Sequence, residues 1–246
     1  MILQSRQNNQ IHIWPNALYR CQSNDWTALQ QQILAVCQQR DFSISTLGHT
    51  AEQPVYLAIR SASVANAKSI LIASGFHGEE PAGPWGLLNA LETIDKDVLD
   101  AVNIAVLPLV NISGFSCGTR FNHKGENPNR GYLALDDGTA ISEEGQILLC
   151  HQSKLALLGC DGVLSCHEDV SKQHGYIYAN EHGEVPSELA LKLRDSNARF
   201  FPLHADGLVD DCLVSNGMVF NHKDSSFEAW LFERGIRATG YVRPRS

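Results

Sequence analysis

The sequence lacks the features that mark membrane and secreted proteins. It has no run of about 18 apolar residues, so no transmembrane helix is expected. Its first residues contain no basic region followed by an apolar one, so no signal peptide is expected. The seven cysteines are odd in number and include no Cys-x-x-Cys pair, which argues against a disulfide framework or a thiolate zinc site. Together these absences predict a cytoplasmic protein with reduced, mostly buried thiols.

Positive charge is also scarce. The chain has 19 Lys and Arg against 27 Asp and Glu, a formal net charge of −8 at pH 7. Nucleic acid and anionic membrane are therefore excluded as the main partner. Apolar residues make up 43% of the 246 residues and charged residues 19%, so a sizeable core is available. We expect residues 1–246 to form a single catalytic domain, and the sequence does not indicate an oligomeric state.

Strand and helix patterns alternate along the chain. Residues 67–74, 102–111 and 162–168 are short apolar runs typical of strands buried on both faces. Helices of about a dozen residues lie between them, which predicts an α/β fold with a largely parallel sheet covered on both faces. A long loop is predicted over 112–140, and loops of that length in a compact domain are usually functional.

Three potential metal ligands follow the ends of these strands. His77 and Glu80 come after one strand, and His167 ends another. Ligands bind at the carboxyl ends of strands in such sheets, so we expect the three side chains to converge. Two histidines and one carboxylate form the open arrangement of a catalytic zinc site. Each residue also has a structural interpretation: His77 as a helix cap, Glu80 as a helix-start charge, and His167 as a hydrogen-bonded core histidine.

The long loop carries groups suited to binding anions, namely Arg120, Asn129 and Arg130. One guanidinium can stabilise an oxyanion, and another can bind a substrate carboxylate through two hydrogen bonds. The alternative is a solvated basic loop that pairs with Glu126 or Asp136.

Three ordered motifs resemble those of the M14 zinc metallocarboxypeptidases and their amidase and deacylase relatives. They are "GFHGEEPAG", "GTRFNHKGENPNRGY" and "SCHEDVSKQHGYIYAN", within residues 69–180. The resemblance implies one zinc ion held by His77, Glu80 and His167, with Arg120 stabilising the oxyanion. It implies that Asn129 and Arg130 hold the substrate carboxylate. It also implies a three-layer α/β/α sandwich around a mixed, largely parallel eight-stranded sheet.

The last strand departs from the family pattern. The family has a general-base glutamate two residues before a proline on this strand, and "GIRATGYVRP" places Val242 there. Without that carboxylate, no group takes the proton of the attacking water. Glu233 is the nearest upstream acid, but it belongs to the preceding predicted helix. Glu168 follows His167 and should point to the opposite face of the strand.

Three functions remain open at this point. The first is a carboxypeptidase-type metallopeptidase that hydrolyses an amide bond next to a free carboxylate. The second is an N-acyl amino acid deacylase similar to the desuccinylase and aspartoacylase relatives. The third is a zinc-containing carboxylate-binding protein that has lost its catalytic glutamate. The expected partner is therefore a peptide or N-acyl amino acid with a free carboxylate.

Overall fold

The computed structural model describes residues 23–134 and 139–244, so the N-terminal segment and residues 135–138 of the long loop lie outside it. Within that part, helices lie between the strands of the central sheet as predicted. The helices are α1 (Trp26–Gln39), α2 (Ala82–Thr93), α3 (Lys96–Ala101), α4 (Ile112–Cys117), α5 (Glu143–Cys150), α6 (Gln152–Leu158), α7 (Glu188–Ala198) and α8 (Phe227–Phe232). The strands are β1 (Ser43–Thr50), β2 (Gln53–Arg60), β3 (Lys68–Ser74), β4 (Val102–Leu107), β5 (Gly162–Asp169), β6 (Tyr176–Asn180), β7 (Gly207–Val209), β8 (Cys212–Val214), β9 (Met218–Phe220) and β10 (Ala238–Pro244).

The strands form one mixed sheet of eight, in the order β1-β2-β4-β3-β5-β10-β6-β9, and a separate β7-β8 pair. The central strands β4, β3, β5 and β10 run parallel to one another. The strands β1, β2 and β6 add antiparallel pairs around them. The prediction of an α/β fold built on a mixed sheet is confirmed. Because β3, β5 and β10 are adjacent and parallel, their carboxyl ends meet at one edge of the sheet.

Apolar side chains cover both faces of the sheet. Along β3, Ile70 and Ile72 pack against one cluster, which includes residues of α1 and α2. Leu71 and Ala73 belong to a second cluster, with residues of α5, α6 and α8. This alternation follows from the two-residue period of a strand, and it explains why a strand buried on both faces is apolar throughout. Among the described residues, no helix combines the length and apolarity needed to cross a membrane.

Three details differ from the sequence-based expectation. Residues 112–117 were expected in the long loop but form α4, because the Asn111 side chain accepts a hydrogen bond from Gly114 N and caps the helix. Between β4 and β5, where one helix of about a dozen residues was expected, two shorter helices, α5 and α6, meet at His151. The six described cysteines are all free, but the prediction that they are mostly buried is wrong, since Cys117, Cys150 and Cys160 are exposed.

The loop after β3 lies in direct backbone contact with α4. A Cβ atom on Gly78 would lie 1.9 Å from the Gly114 carbonyl carbon and 2.1 Å from Phe115 N. The Asn24 amide joins the same two segments, donating to Gly78 O at 2.8 Å and to Phe115 O at 2.7 Å. A side chain at position 78 therefore has no space unless the loop and the helix separate.

We predict that Gly78→Ala destabilises the protein strongly. Both neighbouring atoms are backbone atoms, so the free energy of unfolding should fall by at least the roughly 1–3 kcal/mol typical of overpacking. Chemical denaturation measures the change. Gly162→Ala is the control, because the nearest atom to its added Cβ is Arg237 O at 4.0 Å. Equal stability of the two variants would contradict the backbone contact.

Candidate metal centre

His77 and Glu80 lie on the short turn that follows β3. Gly75 adopts a φ of +67°, and a Cβ there would lie 2.3 Å from Leu109 Cδ1, so only glycine allows the chain to leave the strand in this way. A hydrogen bond from Glu80 N to His77 O at 3.2 Å closes the turn. The side chains are buried, at 4% exposure for His77 and 2% for Glu80. The turn therefore holds an imidazole and a carboxylate side by side in the protein interior.

His167 reaches the same point from the neighbouring strand. In the parallel β3-β5 pair, Ser74 lies opposite Cys166, which places His167 level with the end of β3. Its Nδ1 lies 2.9 Å from Glu80 Oε2, while His77 Nδ1 lies 2.7 Å from Glu80 Oε1. One carboxylate thus stands between two imidazole nitrogens.

The three residues fit a metal ion. One ligand atom from each of His77, Glu80 and His167 can be chosen so that all lie within 4.8 Å of one another. Ligands about 2.0–2.1 Å from one ion, as in zinc sites, must lie within about twice that distance of one another. Two imidazoles and one carboxylate also form a donor set that leaves a coordination position open.

The charges of the site are set by burial and by mutual contact. Burial lowers the pKa of His77 below its usual value, which favours the neutral imidazole that binds metals. Burial alone would raise the pKa of Glu80, but the two histidines hold it well below its usual range. Burial also disfavours a proton on His167, yet Glu80 and Glu228 raise its pKa to about 10. Binding of a metal ion at His167 requires the neutral imidazole.

Glu228 is a site residue that the sequence analysis missed. It lies in the first turn of α8, where Ser226 caps the helix by accepting from Ala229 N. Its Oε1 lies 3.2 Å from His167 Nε2, and its Oε2 accepts from Asn129 Nδ2 at 3.1 Å. Ser165 Oγ also lies 3.0 Å from His167 Nε2. These contacts fix the far side of the His167 ring, so that its Nδ1 faces Glu80.

One signal in the sequence could have identified Glu228. In the sequence, it is the only charged residue in the run Phe227–Phe232. The structure shows that residues 225–231 are all buried. Burial disfavours its charge, but His167 lowers the pKa of Glu228 to about 2. A carboxylate in a buried apolar helix needs partners, and here they are a histidine and an amide.

The three anion-binding candidates lie at the same cavity as His77, Glu80 and His167. Arg120 places Nη1 3.4 Å from Glu79 Oε1 and 3.6 Å from Glu80 Oε1, and its side chain is 40% exposed. Arg130 places Nη2 3.4 Å from Asp224 Oδ2, so this ion pair lies with Asp224 rather than with Glu126, and Asp136 lies outside the described residues. The structure thus brings all six predicted residues to one place.

The Asn129 side chain is buried, and both of its polar atoms bond to other parts of the protein. Its side chain donates to Glu228, as above, and its Oδ1 accepts from Phe227 N at 3.0 Å. It therefore connects the long loop to α8 and to the partner of His167. The residue still lines the cavity, so its predicted contact with a substrate carboxylate remains a prediction.

No carboxylate stands at position 242. In the β5-β10 register Val242 lies opposite His167, and it lines the cavity while being 5% exposed. Glu233 follows α8, is exposed and lies outside the lining of the cavity, so it does not substitute for the missing glutamate. Glu168 lines the cavity, but its Oε2 accepts a hydrogen bond from Ala82 N at the start of α2, at 2.7 Å.

The cavity has a volume of about 420 Å³. Most of its lining residues are polar or charged, and the aromatic residues in the lining are Tyr176 and Tyr178. Its size suits a small ligand, since binding sites for small molecules commonly enclose roughly 300–1,000 Å³. The candidate metal ligands thus lie in a cavity that accommodates a polar ligand.

Comparison with known proteins gives relatives only among solved structures. No model of a protein family matches the sequence. No curated protein matches it either. A protein from Shewanella amazonensis SB2B, named a putative metallopeptidase, is 39% identical with a TM-score of 0.87, and the match covers 96% of this chain and 90% of that chain.

More distant structures share the fold. The metallo-carboxypeptidase from Burkholderia cenocepacia is 18% identical with a TM-score of 0.67, over 89% of this chain and 60% of that one. The murein-tripeptide amidase from Escherichia coli O157 is 21% identical with a TM-score of 0.56, over 83% of this chain and 84% of that one. This chain belongs to the family of the Shewanella proteins named putative metallopeptidases, and it has the fold of the M14 metallocarboxypeptidases.

Proposed function

We propose that this protein is a zinc-dependent metallopeptidase of the carboxypeptidase type, formed by residues 1–246 as one cytoplasmic catalytic domain. The observation that carries the proposal is the convergence of His77, Glu80 and His167 beside Arg120 in one cavity. When bound, zinc supplies Lewis-acid polarisation of a carbonyl and a lowered pKa for water. The relatives named metallopeptidase support a hydrolase.

The protein's own groups then divide the remaining work. Arg120 lies within 3.6 Å of the ligand Glu80, where a guanidinium can stabilise negative charge on a carbonyl oxygen. Arg130 is the second guanidinium in the cavity and is positioned to bind the free carboxylate of a substrate. Asn129 keeps Arg130 close to the centre, because its side chain is fixed to α8 and its carbonyl accepts from Arg130 Nη1 at 2.7 Å.

A second candidate function follows from Val242. A protein with the metal and anion-binding groups but no general base would bind carboxylates with little or no turnover. Val242 occupies the position opposite His167 where the family's glutamate is expected, and this favours a slow or silent enzyme. N-acyl amino acids belong in the same substrate panel as peptides, since both present an amide next to a free carboxylate.

The ligand set predicts the metal content of variants. We expect purified protein to hold about one equivalent of zinc and His77→Ala to hold less than half, because two ligands rarely retain the ion. Elemental analysis after dialysis measures both. His174→Ala is the control: His174 is exposed, lies near His204 and does not line the cavity. Equal zinc in all three proteins would contradict the assigned ligands.

We predict that the contact between Glu228 and His167 strengthens zinc binding. Glu228→Gln removes the charge that orients the His167 ring, and losing a hydrogen-bond partner of a metal ligand typically weakens metal binding by about 10- to 100-fold. Competition with a chromogenic zinc chelator gives the dissociation constants. Glu233→Gln, on the same segment but exposed, should leave them unchanged. An unaltered affinity in Glu228→Gln would mean that Glu228 does not orient His167.

We predict that a glutamate at position 242 increases hydrolytic activity. Val242→Glu places a carboxylate opposite His167, and general base catalysis contributes about 10²- to 10⁴-fold. We therefore expect kcat to rise by at least about 10²-fold on peptides or N-acyl amino acids. Val242→Gln has the same shape but takes no proton, so it should show no rise. If Val242→Glu keeps its zinc and hydrolyses no faster than wild type, position 242 is not where a general base acts in this site.

A further inference from the structure

Two exposed leucines form the outer face of the β7-β8 hairpin. Leu208 and Leu213 lie directly opposite each other in the pair, and they are 66% and 72% exposed. The residues that alternate with them along the two strands are buried against β6, β9 and β10. The hairpin therefore packs on the main sheet through one apolar face and presents a second apolar face that no described residue covers.

Negative charge borders this outer face at both ends of the hairpin. Asp206 lies at the base, where its Oδ1 accepts a hydrogen bond from Asn216 N at 2.6 Å. Asp210 and Asp211 form the turn between β7 and β8, and both are exposed. None of the three aspartates forms an ion pair with a described residue. Residues 205–217 contain no Lys or Arg, so the charge of the hairpin is not balanced locally.

The charge of the hairpin restricts what can cover the leucines. A two-fold contact with a second copy would bring the same aspartates together, which is unfavourable. Two leucines also fall far short of the roughly 800 Å² per partner that stable interfaces bury. An anionic membrane surface would repel the same aspartates. The occupant must therefore combine apolar side chains with positive charge.

Residues 1–22 of this chain have that composition. They include Arg6 and Arg20 but none of the 27 Asp and Glu residues of the protein. Between the two arginines lies the stretch "IHIWPNALY", residues 11–19, which is rich in aliphatic and aromatic side chains. This segment lies outside the described residues, and its charge and apolarity complement those of the hairpin.

The point where this segment joins the described chain is within reach of the hairpin. Ser23 O accepts from Trp85 Nε1 at 2.7 Å, and Asn24 bonds to the turn that follows β3. In the order β3-β5-β10-β6, three strand spacings separate β6 from β3, about 14 Å. The hairpin packs on the face of β6, and packed sheets lie about 10 Å apart. An extended chain from Trp14 to Ser23 spans up to about 30 Å, which is enough.

We propose that residues 11–19 dock on the outer face of the β7-β8 hairpin of the same chain. Trp14 and the neighbouring isoleucines cover Leu208 and Leu213, and the arginines on either side face the aspartates. Ser23 lies beside the turn that carries the metal ligands, whereas Asp210 lines the cavity from the hairpin side. The docked segment therefore crosses from one side of the cavity to the other.

The environment of Trp14 tests this contact. Protein labelled with 5-fluorotryptophan gives one fluorine resonance for each of its four tryptophans, and Trp14→Phe assigns the resonance of Trp14. We expect a neutral gadolinium chelate to relax this resonance about five times less than that of a synthetic peptide of residues 8–20, because docking shields the ring. Equal relaxation in the protein and the peptide would overturn the proposal.

A double variant locates the contact on the hairpin. Leu208→Thr with Leu213→Thr removes the apolar face and keeps residues that favour strands. The relaxation of Trp14 should then rise to within about twofold of the peptide value. Leu157→Gln is the control, because Leu157 is 72% exposed but lies on α6. If the double variant relaxes Trp14 no more than the control does, the segment does not dock on the leucines.

A second pair of substitutions tests the charges without altering the apolar face. Asp210 and Asp211 both have positive φ, which asparagine tolerates, so Asp210→Asn with Asp211→Asn should keep the turn. We expect the relaxation of Trp14 to rise by about twofold, as for the loss of exposed ion pairs. Added salt should have the same effect on wild type. No change in either experiment would contradict the assigned charge contacts.

Dilution distinguishes docking within one chain from docking between copies. An intramolecular contact gives the same relaxation of Trp14 at about 500 μM and about 50 μM protein. Shielding that is lost on dilution would place the segment on a second copy and overturn the proposal. None of these measurements depends on hydrolysis, so their failure would leave the proposed function unaffected.

Discussion

The buried carboxylate of Glu80 is the constraint on which the rest of the site depends. At 2% exposure an isolated carboxylate would be strongly unfavourable, and here two imidazole nitrogens lie within 2.9 Å of its oxygens. The glycines of the turn after β3, the close contact with α4 and the adjacent position of β5 bring these three groups together. Glu228 extends the same network to α8 and, through Asn129, to the loop that carries Arg130.

Local patterns predicted the part of this arrangement that depends on single elements. Strands β3 and β5 are buried on both faces, so each appears in the sequence as a continuous apolar run. His77, Glu80 and His167 lie at or just after the carboxyl ends of these runs, and this position predicted that they converge. Glu228 was missed because its contact with His167 spans 61 residues and depends on how α8 packs. The helix α4 was missed because "ISGFSC" has a weak helical pattern, although its cap, Asn111, directly precedes it in the sequence. The three-residue strands β7, β8 and β9 are too short to show a period.

The two regions of the cavity have different chemistry on one sheet surface. Near β5 the groups are suited to a cation held by nitrogen and oxygen, with Arg120 and Arg130 beside them for negative charge. Near β6 the lining includes Tyr176, Tyr178 and Asn180. Val242 lies between the two regions, opposite His167 on one side and Tyr176 on the other.

X-ray absorption spectroscopy of the zinc-loaded protein tests the central claim most directly. The assigned ligands predict nitrogen and oxygen neighbours at about 2.0–2.2 Å, with the scattering pattern of two imidazoles and no sulfur. A sulfur neighbour at about 2.3 Å would place the ion at a cysteine instead. That result, or a spectrum with a single imidazole, would contradict a metal centre formed by His77, Glu80 and His167.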